Sequence, residues 1–263
     1  MNAMNPMTRS SRRVLRLQDP SALQISTEIS RNDRMFAGNI AHYLGVGQSA
    51  LRCIQGALAL VGAAEPRRIL DLPCGHGRVL RTLRAAYPES EVTACDLDWD
   101  GVEYCAKAFG AVPVRSVENP EGIRLSGSYD LCWCGSLFTH LAKERWEGFL
   151  RLFVKVLAPG GVVVFTTHGR RTEDWLRRGK SNVGLSIEQI YGLTQPQVAE
   201  LLESFTRCGF AYVDYAGQQG YGISVSSLPV VIGLVQKLTD LRVAACLEHG
   251  WDEHQDVVVC SKP

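Results

Sequence analysis

"ILDLPCGHGRVLRTL", Ile69–Leu83, runs from an apolar stretch through two closely spaced glycines into a helical pattern, and its reading decides the fold. "RRILDL" is short, apolar and ends on Asp71, as a buried strand does. Val79, Leu80, Leu83 and Tyr87 then recur at helical spacing until Pro88 stops the helix. Gly75 and Gly77 lie in the turn between them, where a missing side chain lets backbone N–H groups approach a ligand at the positive end of a helix. Nineteen residues beyond Gly77, Asp96 closes a second apolar stretch, "EVTACD". An acid at that position accepts hydrogen bonds from the hydroxyls of a ribose, so an adenosine-containing ligand is expected.

The alternation continues outward. Trp99 to Phe109 reads as a helix, "AVPVRSV" as a third strand and "YDLCWCG" as a fourth. Trp146, Phe149, Leu150, Phe153, Val154 and Leu157 trace one helical face, "APGG" ends that helix, and "VVVFTTHG" is a fifth strand apolar enough to be covered on both faces. Strands joined by crossover helices make a doubly wound α/β sheet. Before it, Arg34 to Leu44 and Ser49 to Val61 predict two helices. After it, Gln195 to Cys208 predicts a helix running into "GFAYVDY", and the chain closes on "QDVVVCSKP". Residues 216–254 then form a long insert between the last two strands, whose length implies function and which is expected to shape the acceptor pocket. Val230, Val231, Leu234, Val235 and Leu238 give it a helical stripe, with Tyr215, Tyr221 and Trp251 placed around it.

The division expected is a mobile tail over residues 1–30 and a single domain over 31–263, with a helical lid at 34–62 and a cofactor-binding core at 67–169. At 263 residues, 46% hydrophobic and 21% charged, the chain has enough apolar material for a large core. Lys+Arg 28 against Asp+Glu 27 leaves a formal charge of +1, so no global field draws it to polyanions or membranes. No apolar run reaches the roughly 20 residues of a spanning helix, and the Arg-rich start lacks the apolar block of a secretory signal. Nine cysteines without a C-x-x-C pair read as reduced thiols and no metal site. These features together predict a cytoplasmic protein. Arg9, Arg12, Arg13, Arg16 and "GRRTEDWLRRGK" are the best case for an anionic partner, but without interleaved aromatics they read as a solvated face, which disfavours nucleic acid.

A nicotinamide fingerprint wants a third glycine where Leu80 stands, and Asp71 beside the loop would repel a pyrophosphate. An acid there suits a ligand carrying an amino group and a sulfonium. The set "LDLPCGHGRVL", "ACDLD", "YDLCWCGSLFTHL" and "LAPGGVVVFTTHG" resembles the class I S-adenosylmethionine-dependent methyltransferases, of the bacterial small-molecule or glycan-pathway type. The resemblance implies a seven-stranded, mostly parallel sheet with an antiparallel last strand, its hairpin supplied by 210–215 and 256–260. It also implies S-adenosylmethionine as cofactor. The matching positions set Asp71 and the Gly75/Gly77 loop against the methionine moiety and Asp96 at the ribose, with Pro73, Cys74, Arg78 and Leu97 also expected to bind the cofactor. Val117 or Glu118 falls by the adenine, and Cys134, Gly135 and Ser136 at the methionine end. Pro73 departs from the family, where many members carry glycine.

The acceptor is approached by exclusion. "WCGSLF" replaces the Asn/Asp-Pro-Pro-aromatic run of amino-methylating nucleic-acid enzymes, and no glutamate pair occurs between Cys134 and Leu141, as arginine methyltransferases would require. The expectation is methyl transfer to a small-molecule hydroxyl, of a sugar or secondary metabolite. A methyltransferase-like binding protein without catalysis and an RNA methyltransferase stand as alternatives. A hydroxyl must lose a proton, and His140, His168 and His254 fall where the family's pocket opens.

Overall fold

The computed structural model describes residues 14–263. Its main sheet is seven-stranded, in the order β3-β2-β1-β4-β5-β9-β8. Strands β1 (Arg68–Asp71), β2 (Glu91–Asp96), β3 (Val112–Arg115), β4 (Tyr129–Cys134) and β5 (Leu157–Thr167) run parallel. Strand β9 (Gln255–Ser261) inserts antiparallel beside β5, with Phe165 opposite Val258, and β8 (Arg242–Trp251) pairs antiparallel with β9 at the edge. Alternate residues of β5 serve opposite faces, as the two-residue period of a strand requires. Val162 and Val164 join the core under α1 (Ile40–Leu60), α2 (Leu80–Ala86) and α3 (Trp99–Phe109), whereas Val163 and Phe165 join the core under α4 (Lys143–Val156) and α8 (Leu228–Leu238).

Five expectations change. The sheet's sixth strand is β8, not 210–215. Strand β6 (Phe210–Tyr215) pairs only with β7 (Gln218–Ser226) in a separate two-stranded sheet. "RVAACLEHGW" escapes a periodicity search because its edge position leaves most of it half-exposed, without the apolar run of a central strand. The 216–254 insert therefore dissolves into β7, α8 and β8, and the last two strands of the sheet meet in a tight turn at 252–254. The stripe on α8 packs into the core, with Val231 and Val235 buried.

The two N-terminal helices are one, α1, running through Gly45 and Gly47. A Cβ at Gly47 would stand 2.7 Å from the Arg78 carbonyl oxygen, so this glycine allows close packing on α2 and does not break the helix. Residues 14–30 are tied down, unlike the tail expected: Arg81 Nη1 donates to the carbonyls of Ser26 (3.0 Å) and Glu28 (2.7 Å), and Tyr104 OH to that of Glu28 (2.9 Å). Arg9, Arg12 and Arg13 lie outside the described residues. "APGG" lies within β5, which begins immediately after α4.

Residues 170–227 build a cap. Helices α5 (Arg170–Arg178), α6 (Ile187–Tyr191) and α7 (Gln195–Cys208) close with β6 and β7 around a core of their own, including Leu176, Leu201, Val213 and Ile223. The basic run "GRRTEDWLRRGK" becomes α5, whose charges are largely spent in surface pairs: Arg177–Glu173 (2.9 Å), Arg178–Asp174 (2.6 Å) and Arg170–Glu248 (3.5 Å). All nine cysteines are free thiols. No helix among the described residues is long and apolar enough to cross a membrane.

Helix α3 presses directly on the Gly75 turn. A Cβ on Gly101 would lie 2.4 Å from the Gly75 carbonyl oxygen. Gly101→Ala is expected to push the turn out of place, costing about 1–3 kcal/mol of stability in urea unfolding, the usual cost of overpacking.

Candidate functional site

At the C-terminal ends of β1, β2 and β4, where doubly wound sheets bind ligands, lies a cavity of about 400 Å³. The tip of β1 contributes Asp71, and the turn that follows contributes Pro73, Cys74, Gly75 and Arg78. The tip of β2 adds Asp96 and Leu97, the loop after β3 adds Val117 and Glu118, and the loop after β4 adds Gly135, Ser136 and His140.

Asp71 is 1% exposed, and neither of its carboxylate oxygens has a hydrogen-bond partner among the described residues. Burial, aided by the nearby Asp96, pushes its carboxyl well above the usual range. Arg78 also lines the cavity, yet makes no hydrogen bond or ion pair with any described residue; Asp252 and Asp33 act on it only at longer range, and burial lowers its pKa. A desolvated acid and a desolvated cation without partners await groups of opposite charge. Asp96 is better supported: Oδ2 accepts from Gly75 N at 2.7 Å and Oδ1 from Asp98 N at 3.0 Å. Those bonds orient the carboxylate and leave lone pairs for further donors. On either side Leu97 and Val117 remain 55% and 41% exposed, apolar surfaces open to a flat ring.

The two glycines divide their work. Gly75 (φ 50°) has open space where a Cβ would stand, so the bare backbone can meet a ligand. Gly77 (φ 80°) is off the cavity wall, and a Cβ there would lie 2.7 Å from Phe109 Cε2, so its missing side chain makes room for packing against α3. Cys134 is also off the wall, buried in the sheet core. Ser136 adopts φ 59°, unusual outside glycine. A ring of hydrogen bonds holds it there: Ser136 N donates to Thr166 Oγ1 (2.8 Å), Thr166 Oγ1 to Gln255 Oε1 (2.6 Å), and Gln255 Nε2 to Ser136 Oγ (3.1 Å).

The three histidines separate. His140 is on the cavity wall, stacked on Tyr221 with centroids 5.0 Å apart. His168 and His254 are not, because the cap covers that end of the sheet. His168, 3% exposed, lies between them, and burial with its two histidine neighbours holds its pKa well below the ordinary value. His254 stacks on Trp175 (4.6 Å) and shares a hydrogen bond with Tyr191 OH through Nε2 at 2.7 Å, and burial lowers its pKa to about 4. It fastens the β8–β9 turn to the cap.

Tyr221 and Trp251 both reach the cavity, but not as one cluster. Tyr221 is 5.6 Å from Tyr215, whereas Trp251 stacks edge-on against Trp133 (5.2 Å) and donates to the Val46 carbonyl. Sequence reasoning missed Arg145, which bridges the cavity wall by donating to Gly220 O (2.8 Å) on the cap and Glu118 O (3.2 Å) on the core. It also missed Asn32–Met35, which lines one side. Neither has a local signal, since both are brought in by tertiary packing.

A family model described as a methyltransferase domain matches residues 69–161. Among curated proteins, the chain is 29% identical over 126 residues to the malonyl-[acyl-carrier protein] O-methyltransferase of Anoxybacillus flavithermus, covering 48% of each chain. It is 28% identical to the ubiquinone biosynthesis O-methyltransferase of Bordetella avium, covering 44% of this chain and 49% of that one. The chain thus spans about half the length of these relatives. Among solved structures, N-methyltransferase NodS of Bradyrhizobium japonicum, in complex with S-adenosyl-L-homocysteine, is similar at TM-score 0.51 and 14% identity, over 89% of this chain and 94% of that one. A methyltransferase of Clostridium acetobutylicum is similar at TM-score 0.53 and 11% identity, over 86% and 93%. Sheet order, reversed final hairpin and glycine turn agree with the family match: residues 69–161 are a methyltransferase domain, set in the seven-stranded fold of the S-adenosylmethionine-dependent methyltransferases.

Proposed function

We propose that this protein transfers a methyl group from S-adenosylmethionine to a hydroxyl of a small-molecule acceptor, with His140 taking the proton. The carrying observation is a single cavity that joins the unpaired Asp71 and Arg78 to a histidine on the far wall. Asp71 and Arg78 complement the ammonium and carboxylate of an amino-acid end, Asp96 the ribose, and Leu97 with Val117 the adenine. The cofactor supplies a methyl on a sulfonium, a carbon already activated for displacement. The protein's work is to align the acceptor, exclude water and accept a proton.

Oxygen as the accepting atom is supported by the names of the curated relatives, which are O-methyltransferases. A small acceptor is supported by the roof that the cap lays over the cavity through Tyr221 and Arg145. Cys74 sits in the first turn, where the neighbouring Cys105 thiol, then burial and nearby acids, raise its pKa, so it is not read as a nucleophile.

Calorimetry tests the cofactor reading. S-adenosylhomocysteine should bind and NAD should not. Arg78→Ala should weaken S-adenosylhomocysteine by roughly 10-fold or more, the value of a charged hydrogen bond, while leaving 5′-methylthioadenosine, which lacks the amino-acid end, unchanged. Equal losses for both ligands would remove Arg78 from the amino-acid subsite. Transfer of label from methyl-labelled cofactor into a metabolite extract separates an enzyme from a silent binding protein.

A further inference from the structure

Strand β7 has β6 on one edge, and its other edge is closed by the catalytic core. Gly222, Ser224 and Ser226 are two apart, so their backbone groups turn to the same side. The Gly222 carbonyl meets His140 Nδ1 at 2.9 Å, the Ser224 carbonyl meets His168 Nδ1 at 3.2 Å, and Ser226 N donates to the His168 carbonyl at 2.8 Å. Ser224 Oγ adds a bond to the Phe138 carbonyl at 2.6 Å. The edge of a two-stranded sheet is thus satisfied by two imidazoles where another strand would ordinarily lie.

A carbonyl oxygen only accepts, so each Nδ1 facing one carries the hydrogen. The Nε2 of His140 is then the lone-pair nitrogen, the one required of a base. Tyr215 OH stands 3.2 Å from the same Nδ1 and gives that N–H a second oxygen. Tyr221, stacked on the ring, restricts its rotation.

We propose that the docked edge of β7 selects the Nδ1–H form of His140, with Tyr215 as a positioning residue, so that the base is competent only when the cap is seated on the core. The inference rests on the reading of His140 as the base. It gives the cap a role beyond roofing the cavity, because the base sits after β4 while the group that orients it belongs to β7. A free histidine side chain favours the Nε2–H form, so the geometry requires an inversion that can be measured.

The test is two-dimensional long-range ¹H–¹⁵N NMR on ¹⁵N-histidine-labelled full-length protein, with S-adenosylhomocysteine as the added ligand at neutral pH. His140 and His168 should both show a protonated Nδ1 and a bare Nε2. Predominant Nε2–H at His140, or an averaged signal like that of free histidine, would overturn the proposal. Tyr215→Phe keeps the ring and removes the hydroxyl. It should move His140 toward the averaged pattern while His168, which Tyr215 does not bond, stays fixed and reports an intact cap. An unchanged His140 in that variant would remove Tyr215 from the role. Because the tautomer is read without turnover, the two ideas fail separately: a correct tautomer in a protein whose methyl transfer ignores His140 sinks the base, and a wrong tautomer in an active enzyme sinks the clamp.

Discussion

Replacing His140 by Gln should lower kcat for methyl transfer by about 10²-fold or more while leaving the Kd for S-adenosylhomocysteine within about twofold of the parent. The split follows from the geometry. His140 lines the cavity without any part in the turn that would hold the cofactor, and its Nδ1 is fixed on the Gly222 carbonyl. Glutamine keeps a polar side chain of similar reach but has no basic nitrogen. Burial lowers the pKa of His140, so the imidazole is neutral at physiological pH and able to accept a proton. Its contribution to kcat should rise with pH through that lowered value and then level off, and the Gln variant should lose this rise. His168→Gln and His254→Gln should chiefly lower Tm, since their partners are structural: the Ser224 carbonyl for one, Tyr191 and Thr172 for the other. Full activity of the His140 variant under saturating cofactor would mean that alignment alone drives the reaction.

The parts of this molecule that were legible beforehand are those in which one local pattern fixes both the element and its neighbour. Helix α3 is predicted and found at Trp99–Phe109, because its apolar face repeats cleanly and Gly110 stops it in a left-handed cap. The cavity wall is legible for the same reason: Asp71 and Asp96 end β1 and β2, Gly75 follows in the turn after β1, and strand ends converge in a parallel sheet. What escaped depends on partners remote in sequence. Strand β8 lacks an apolar run because it lies at an edge, and the cap strand β6 is apolar enough to pass for the partner of β9 in the sheet's last pair. Gly77 shows the limit of a motif: its missing Cβ makes room for Phe109, a packing partner that spacing alone does not reveal. The three histidines looked equivalent by chain position, and only the cap decides that His140 alone stays on the cavity wall.

Asp71→Asn should cost S-adenosylmethionine and S-adenosylhomocysteine binding about 10²-fold while making the ligand-free protein more stable. A carboxylate with both oxygens buried and unpartnered is costly to keep ionised, and Asp96 nearby makes it costlier. Asparagine has nearly the same shape and no charge. The binding loss is the size expected when one partner of a buried charge pair is removed, because the cofactor's amino-acid ammonium would lose its counter-charge. The stability gain has a definite pH dependence. Asp71 has a folded-state pKa raised above its unfolded value of about 3.9, so between the two the folded protein holds a proton that the unfolded chain has released. Stability from this group is therefore greatest at low pH and declines as pH rises through the raised folded pKa. The Asn variant does not titrate, so its Tm should exceed that of the parent at neutral pH, and the gap should close as pH falls toward 4. For the same reason, parent affinity for the cationic ligand should weaken on acidification, since binding must then expel the Asp71 proton. Calorimetry of ligand-free protein across that range, paired with S-adenosylhomocysteine titrations at each pH, measures both effects on one sample. A variant that binds as the parent does, or melts below it at neutral pH, would show that Asp71 is a structural acid and that the ammonium is received elsewhere in the cavity.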